Sequence, residues 1–405
     1  MTTVAAAALL ASALGATDAF HLALRSEVRG IGGGAPGVRL VEPAPFELDP
    51  GVAFDFASDD VDLGLAYGPR FFLFAGPEGG YAVRSVGRYD AGTGSVTLHP
   101  DDRFRVVVAG SASRGTMELS PLAQLTTTAP EALPGQPAPT PAPLEPAPGI
   151  RSGPHSSWST RGTVDWKASS TLTFTGTGAY HQSGGVDEAS RAIFPDVRGP
   201  SIAASMAARL DALDTLGLHA GLAQTRLASQ ATVTIVDLTS RWARQVAADT
   251  SAYVAAGVSV RGHDTTTPAL PSPLGRVAPE GELGLSKAAP LDRPGLGASA
   301  RLGLAPYLDP YAVRVRQRAS AQLGLDWPVL QRLRITAALS GASVVGGGSV
   351  GPSAVAADVT AWSRYTDTEI GLAVRSGFQQ GEAQAGDTWQ WGVSIEVRWR
   401  ARGTL

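Results

Sequence analysis

Trp389–Arg402 reads WQWGVSIEVRWRAR. Trp389, Trp391, Val393, Ile395, Val397, Trp399 and Ala401 fall on one side of this alternation. Gln390, Gly392, Ser394, Glu396, Arg398, Arg400 and Arg402 fall on the other. A period of two is a β-strand with one apolar face. Strands of soluble sheets usually run about 5–6 residues, and this stripe is more than twice that. A strand crossing a bilayer needs about 9–11 tilted residues, with aromatic girdles where the apolar band meets water. Tryptophan at both ends of the apolar face fits that demand. The competing reading is one long edge strand of a soluble sheet.

Two further stretches repeat the grammar. Tyr311, Val313, Val315, Gln317, Ala319, Ala321, Leu323, Leu325 and Trp327 share a face, opposite Arg314, Arg316, Arg318, Ser320, Gln322, Gly324 and Asp326. From Thr163 to His181 the even positions include Val164, Trp166, Leu172, Phe174 and Tyr180, against Thr, Asp, Lys, Ser and Ala. Read as one strand, that segment has Trp166 and Tyr180 bracketing its apolar face. Trp166, Tyr180, Tyr311, Trp327, Trp389, Trp391 and Trp399 are therefore the candidate membrane-interface aromatics.

Composition agrees. Charged residues make up 17%, the formal net charge is -3, cysteine is absent and glycine reaches 48. So little charge is unusual for a soluble α/β protein. No cysteine means neither a disulfide framework nor a thiolate metal site, and the charge gives no global pull toward nucleic acid. Residues 4–16, VAAAALLASALGA, form the only long apolar run. It is too short for a spanning helix and fits the core of a secretory signal peptide. Cleavage is expected near Ala13, Ala16 or Ala19, although the first basic residue is only Arg25. The expected division is a signal peptide at 1–19 and one barrel over 20–405.

Residues 129–150, APEALPGQPAPTPAPLEPAPGI, are dense in proline. Proline cannot donate to a ladder and favours extended loops, so this segment is expected to interrupt the barrel as a long loop. Twelve candidate strands follow it: 161–181, 201–211, 214–228, 231–247, 250–262, 280–288, 295–305, 311–327, 332–344, 354–365, 368–379 and 388–402. About four precede it. Residues 203–224 are Ala/Leu-rich, and helix propensity competes there. Alternation of Ile202, Ala204, Met206, Ala208 and Leu210, then Leu216, Leu218, Ala220 and Leu222, favours a hairpin.

In hydrocarbon every backbone polar group must be bonded within the protein, so only helices or closed sheets span it. The expected fold is all-β, an antiparallel transmembrane barrel of about sixteen strands (range 12–18). The terminal strand also resembles the assembly signal of bacterial outer-membrane β-barrel proteins, with Gln390, Gly392, Ile395 and Val397 in its key places and Trp399 continuing the face. The match is partial, because the chain ends Arg402-Gly403-Thr404-Leu405 rather than in an aromatic residue. The resemblance implies export to the outer membrane, contact with its lipid, and handling by periplasmic chaperones and the barrel-assembly machinery.

The polar face supplies the functional candidates. Arg314, Arg316 and Arg318 share one strand, and Glu396, Arg398 and Arg400 share another. Pairing Leu325 with Leu333 would set Arg332 opposite Asp326 and Arg334 opposite Gly324. Rings of arginine in a pore attract anions; cross-strand pairs of opposite charge brace a sheet instead. Gly32-x-Gly34-x-x-Gly37 and Gly346-x-Gly348-x-x-Gly351 match a dinucleotide pattern, but neither opens a helix as that chemistry requires, so both read as turns. His155-Ser156-Ser157 and His263-Asp264 have no supporting catalytic constellation. No cofactor, metal or enzymatic role is expected. The function expected is a passive pore for small solutes, with possible anion preference; the alternative is a structural or partner-binding barrel with a closed lumen. Oligomeric state is not readable.

Overall fold

The structure, a computed structural model, describes residues 17–33, 39–40, 46–75, 83–119, 151–228, 231–263, 277–289, 295–309, 314–345, 353–380 and 387–404. The strands are β1 (Thr17–Gly33), β2 (Arg39–Leu40), β3 (Phe46–Ala57), β4 (Val61–Ala75), β5 (Val83–Leu98) and β6 (Phe104–Leu119). After the proline-rich segment come β7 (Arg151–Lys167), β8 (Leu172–Gly185), β9 (Val197–Arg209), β10 (Asp214–Leu227), β11 (Thr232–Ala247), β12 (Thr250–His263) and β13 (Val277–Lys287). The last six are β14 (Gly297–Asp309), β15 (Arg314–Leu330), β16 (Leu333–Val345), β17 (Ser353–Tyr365), β18 (Thr368–Gln380) and β19 (Asp387–Thr404). One short helix, α1 (Glu188–Ile193), sits between β8 and β9.

Each strand pairs antiparallel with its sequence neighbour, and β1 pairs with both β3 and β19, so the sheet closes on itself. The two-residue β2 lies on the β3 side of β1. Without it, eighteen strands form the ring. No helix among the described residues is long and apolar enough to cross a membrane; the strands do the crossing.

The connections differ between the two ends. At one end most are short: 58–60, 99–103, 168–171, 210–213, 248–249, 331–332 and 366–367, with 288–296 the longer exception. At the other, residues 34–45, 76–82, 120–150, 186–196, 264–276, 346–352 and 381–386 intervene, beside the short 228–231 and 310–313. Both β1 and β19 have their outer ends, Thr17 and Thr404, at the short-turn end. This asymmetry is the one that outer-membrane barrels show between periplasmic turns and outer loops.

The outer surface is apolar. Ile202, Leu238, Leu302, Leu323, Val374 and Ile395 are among the large hydrophobics left exposed on it, an arrangement that only lipid makes favourable. Aromatic rings border the band. Near the short-turn end Phe104, Trp166 and Phe174 stack in succession, with centroids 6.1 and 5.4 Å apart, and Trp242, Trp327 and Trp399 lie exposed at similar positions on other strands. Toward the loop end Trp158 stacks on Tyr180 at 4.9 Å, and Phe378 is paired with Trp389. Eight residues separate Trp158 from Trp166. That is about 27 Å along the strand and about 21 Å along the barrel axis at a tilt of ~40°, close to the height of a membrane-facing band.

Several expectations are corrected. The stretch 163–181 is two strands, turned at 168–171, with Trp166 directly opposite Phe174. That split and a fifth long strand before the proline-rich segment bring the count to eighteen, within the expected range of 12–18. Ala168-Ser169-Ser170-Thr171 contains neither glycine nor proline, so composition hides the turn; Ser169 instead bonds Leu172 and Thr171. The hairpin of β15 and β16 turns at 331–332, not over the 328–331 left between the two candidate strands. The strand runs through Pro328, accommodated by a register shift between Pro328 and Leu330. The hairpin over 203–224 is present as β9 and β10. Tyr311, residues 1–16, 129–150 and 346–351, and Gly34 to Gly37 lie outside the described residues.

Candidate functional site: the barrel lumen

Alternation assigns the lumen. Where the lipid face of β19 carries Val393 and Ile395, the other carries Gln390, Gly392 and Ser394, all buried, and then Glu396 and Arg398. Following the registers around the ring gives two walls of different chemistry.

From β5 to β9 the luminal positions are rich in small hydroxyls: Thr93, Ser95 and Thr97, then Ser111 and Ser113, Ser157, Ser159 and Thr163, Thr173, Thr175 and Thr177, Ser201 and Ser205, with Arg105, Arg161, Asp165, Lys167 and Arg209 on the same face. They bond across strands: Ser111 with Ser159 at 2.8 Å, Ser113 with Ser157 at 2.7 Å, and Tyr89 donating to Ser113 at 2.7 Å. Hydroxyls both donate and accept, so a pair satisfies itself and still offers lone pairs to the lumen.

From β10 to β19 small residues continue, including a Ser251–Ser286 pair at 2.8 Å, but long charged side chains are added and several pair. His219 lies 3.3 Å from Asp237. Arg241 stacks over Tyr253 at 3.9 Å, Tyr253 donates to Glu282, and Glu282 takes two bonds of 2.7 Å from Arg301. This chain spans four adjacent strands. Asp358 and Arg375, directly opposite on β17 and β18, bond at 2.8 Å, and Thr360 donates to the same carboxylate. Arg398 bonds Glu396 at 2.6 Å and stacks over Trp362 at 4.0 Å.

The predicted basic set does not form one ring. Arg316 and Arg318 lie at the loop end of β15 and are buried, Arg318 over the Tyr307 ring at 5.7 Å. Arg334 is near the opposite end: Arg318 is level with Val344 on β16, ten residues, or about 33 Å along the strand, from Arg334. Arg334 clasps Asp326 through two bonds of 2.5 Å, diagonally, because Asp326 is opposite Thr336. Arg332 is in the exposed turn and is not luminal. The side chains of Arg314 and Arg400 are outside the described ones; their backbones pair with Asp309 and His21. Trp391 keeps the lipid-facing parity of its strand but is only half-exposed.

Val315 and Gln317, on the lipid-facing parity of β15, are buried as well. The reason lies next door. The ladder between β13 and β14 runs only from Gly281–Leu304 to Lys287–Ala298. In the opening above it, the buried Arg261 donates to the Val315 carbonyl at 3.4 Å and to Gln317 Oε1 at 3.0 Å, and Gln317 donates to the Pro279 carbonyl. Side chains replace the missing backbone ladder.

At the loop end of the hydroxyl wall, α1 folds against the luminal faces of β7 and β8. Phe194 meets the His155 ring edge-on at 5.1 Å. Glycines make room: a Cβ on Gly185 would lie 2.2 Å from the Ser190 carbonyl carbon, and one on Gly153 would touch Ser190, Ile193 and Phe194. The helix is capped by Asp187, which accepts from the Ser190 amide at 2.7 Å while Ser190 Oγ accepts from the Asp187 amide at 3.0 Å. Those bonds, the amide's foremost, hold the Asp187 carboxyl below its ordinary value.

A closed eighteen-strand sheet, greasy and girdled with aromatics outside and polar within, is an outer-membrane β-barrel. The model of the EpsX exopolysaccharide export family matches residues 14–405, and the chain belongs to that family. No curated protein matches it. Similar solved structures include OccK9 (OpdG) of Pseudomonas aeruginosa, at 14% identity and a TM-score of 0.46 over 95% of this chain and 98% of that one. Another is the FrpB iron transporter of Neisseria meningitidis (F5-1 variant), at 8% identity and 0.49 over 94% and 82%. Likeness this remote carries no statement about cargo.

Sequence reasoning missed the Arg241–Tyr253–Glu282–Arg301 chain and the Asp358–Arg375 pair. Each member sits on the polar face of an alternating strand, but only the registers bring them together.

Proposed function

We propose that this barrel is a passive outer-membrane passage for an exported polysaccharide, and not an enzyme. The observation that carries the reading is the hydroxyl wall of β5–β9 in a chain of an exopolysaccharide export family. A sugar chain presents hydroxyls along its length, and a wall of Ser and Thr exchanges hydrogen bonds with it without a deep binding site. Opposite, four luminal arginines are matched with carboxylates, at Arg301–Glu282, Arg334–Asp326, Arg375–Asp358 and Arg398–Glu396. Matched pairs brace the wall and add little net field of their own, so any anion preference would rest on the other luminal arginines.

A second reading has its own support. Val344, Ala354, Ala356, Gln379, Gln390 and Ser394 share the luminal parity and are all buried, as a filled, closed barrel would have them. Planar-bilayer recording with the purified protein separates the two. Stepwise currents interrupted by added neutral oligosaccharide support the passage. Silence at all voltages supports the closed barrel, and currents indifferent to oligosaccharide remove the polysaccharide from the proposal. The apolar band and the terminal-strand motif further support lipid contact and delivery by chaperones and the barrel-assembly machinery.

A further inference from the structure

On the lipid-facing parity, one cross-strand row reads Trp158, Gln182, Arg198, Arg226 on β7, β8, β9 and β10. The Trp158 indole donates to Gln182 at 3.3 Å. Arg198 and Arg226 then face each other directly. Like charges in that position repel, and no carboxylate is paired with either among the described residues. Arg114 stands one row nearer the loops, opposite Ser156, on the same face. Beside it a cavity of about 310 Å³ is lined by Arg114, Ser156, Gln182, Arg191 and Asp196. The cations of this face are Arg114, Arg198 and Arg226; Arg191, on α1, is set against the helix's own Asp187.

Depth identifies the occupant. The row is level with the Trp158–Tyr180 pair that ends the apolar band. Ile202 and Leu222, each four residues farther down their strands, are exposed to lipid, which puts the arginines about 13 Å from them along the strand. That is headgroup depth. A guanidinium fork matches a phosphate bidentately, and a phosphate between two facing guanidiniums turns a repulsion into a bridge. We propose that Arg198 and Arg226, flanked by Arg114, hold the phosphorylated headgroup of a lipid in the leaflet at the loop end of the barrel.

Native mass spectrometry of the full chain in neutral-detergent micelles tests this, with phosphatidic acid as probe and phosphatidylcholine as the neutral comparison. Wild type should retain phosphatidic acid preferentially. R198Q/R226Q should bind it about tenfold more weakly, or worse, for each charge-assisted bond removed. R198K/R226K, keeping charge but not the fork, should fall between. The charge-matched control R103Q/R332Q, at the short-turn end, should bind like wild type. Unchanged retention by R198Q/R226Q overturns the proposal; so does an equal loss in the control, or displacement by inorganic phosphate as readily as by lipid. Should R198Q/R226Q not fold, judged by heat-modifiable gel mobility, R226Q alone decides by the same criterion.

Discussion

The luminal wall of β5–β9 and that of β10–β19 face one another across the same lumen, yet they are held by different means. The first uses short hydroxyls that bond their immediate cross-strand neighbours, such as Ser111 with Ser159. The second also uses long ions and rings linked from strand to strand, as Arg241, Tyr253, Glu282 and Arg301 are across β11–β14. A hydroxyl that loses its partner turns to water at small cost. A half-buried ion that loses its partner stays charged where water is scarce. One wall is therefore tolerant and the other brittle, and the contrast can be tested wall against wall.

The largest effect is expected at the Asp358–Arg375 pair, where each side chain is 21% exposed. D358A should cost about 2–3 kcal/mol, because Arg375 is left charged and unmatched. Urea unfolding in lipid vesicles, read by tryptophan fluorescence, measures it. D358L/R375L should recover most of the loss, and a double variant as weak as the single one would refute the bracing argument. G185A comes next. Its new methyl collides with the α1 backbone, an overpacking worth about 1–3 kcal/mol. Displacing α1 should also raise single-channel conductance.

R241Q removes the stacking on Tyr253 and should cost about 1 kcal/mol. On the tolerant wall, S111A/S159A should change stability by less than about 0.5 kcal/mol, since both partners go together. S159K there should shift the reversal potential toward anions with little loss of stability. The smallest effect concerns pH. The folded Asp187 carboxyl lies below its ordinary value of 3.8, so the cap is at full strength above that value and is lost as pH falls through the lower folded one. Proteolysis of the 186–196 segment should be flat from about pH 8 to about pH 5 and rise only below about pH 4.

The barrel itself was legible in the sequence because its signal is one-dimensional: Val393, Ile395 and Val397 against Ser394, Glu396 and Arg398 needs no partner strand to be recognised. Registers are two-dimensional and were not. The candidate strands 311–327 and 332–344 leave 328–331 as the turn, yet β15 carries Pro328 through a bulge and turns three residues later, which moves every pairing expected for Arg332 and Arg334. The luminal ion pairs were hidden for the same reason. The shortening of the β13–β14 ladder, with Arg261 and Gln317 filling it, has no counterpart in local periodicity at all.

The seam between β1 and β19 runs unbroken over seventeen residue pairs, from Thr17–Thr404 to Gly33–Thr388. It joins the parts of the barrel that are farthest apart along the chain, so it is the slowest contact to find and the one whose loop closure is costliest. Until β19 has docked, two raw edges, β1 and β18, stand open in whatever environment the chain occupies, each a template for the wrong partner. Sealing that last gap is thus the step that commits the molecule, and a chain halted before it is a candidate for aggregation rather than a smaller barrel.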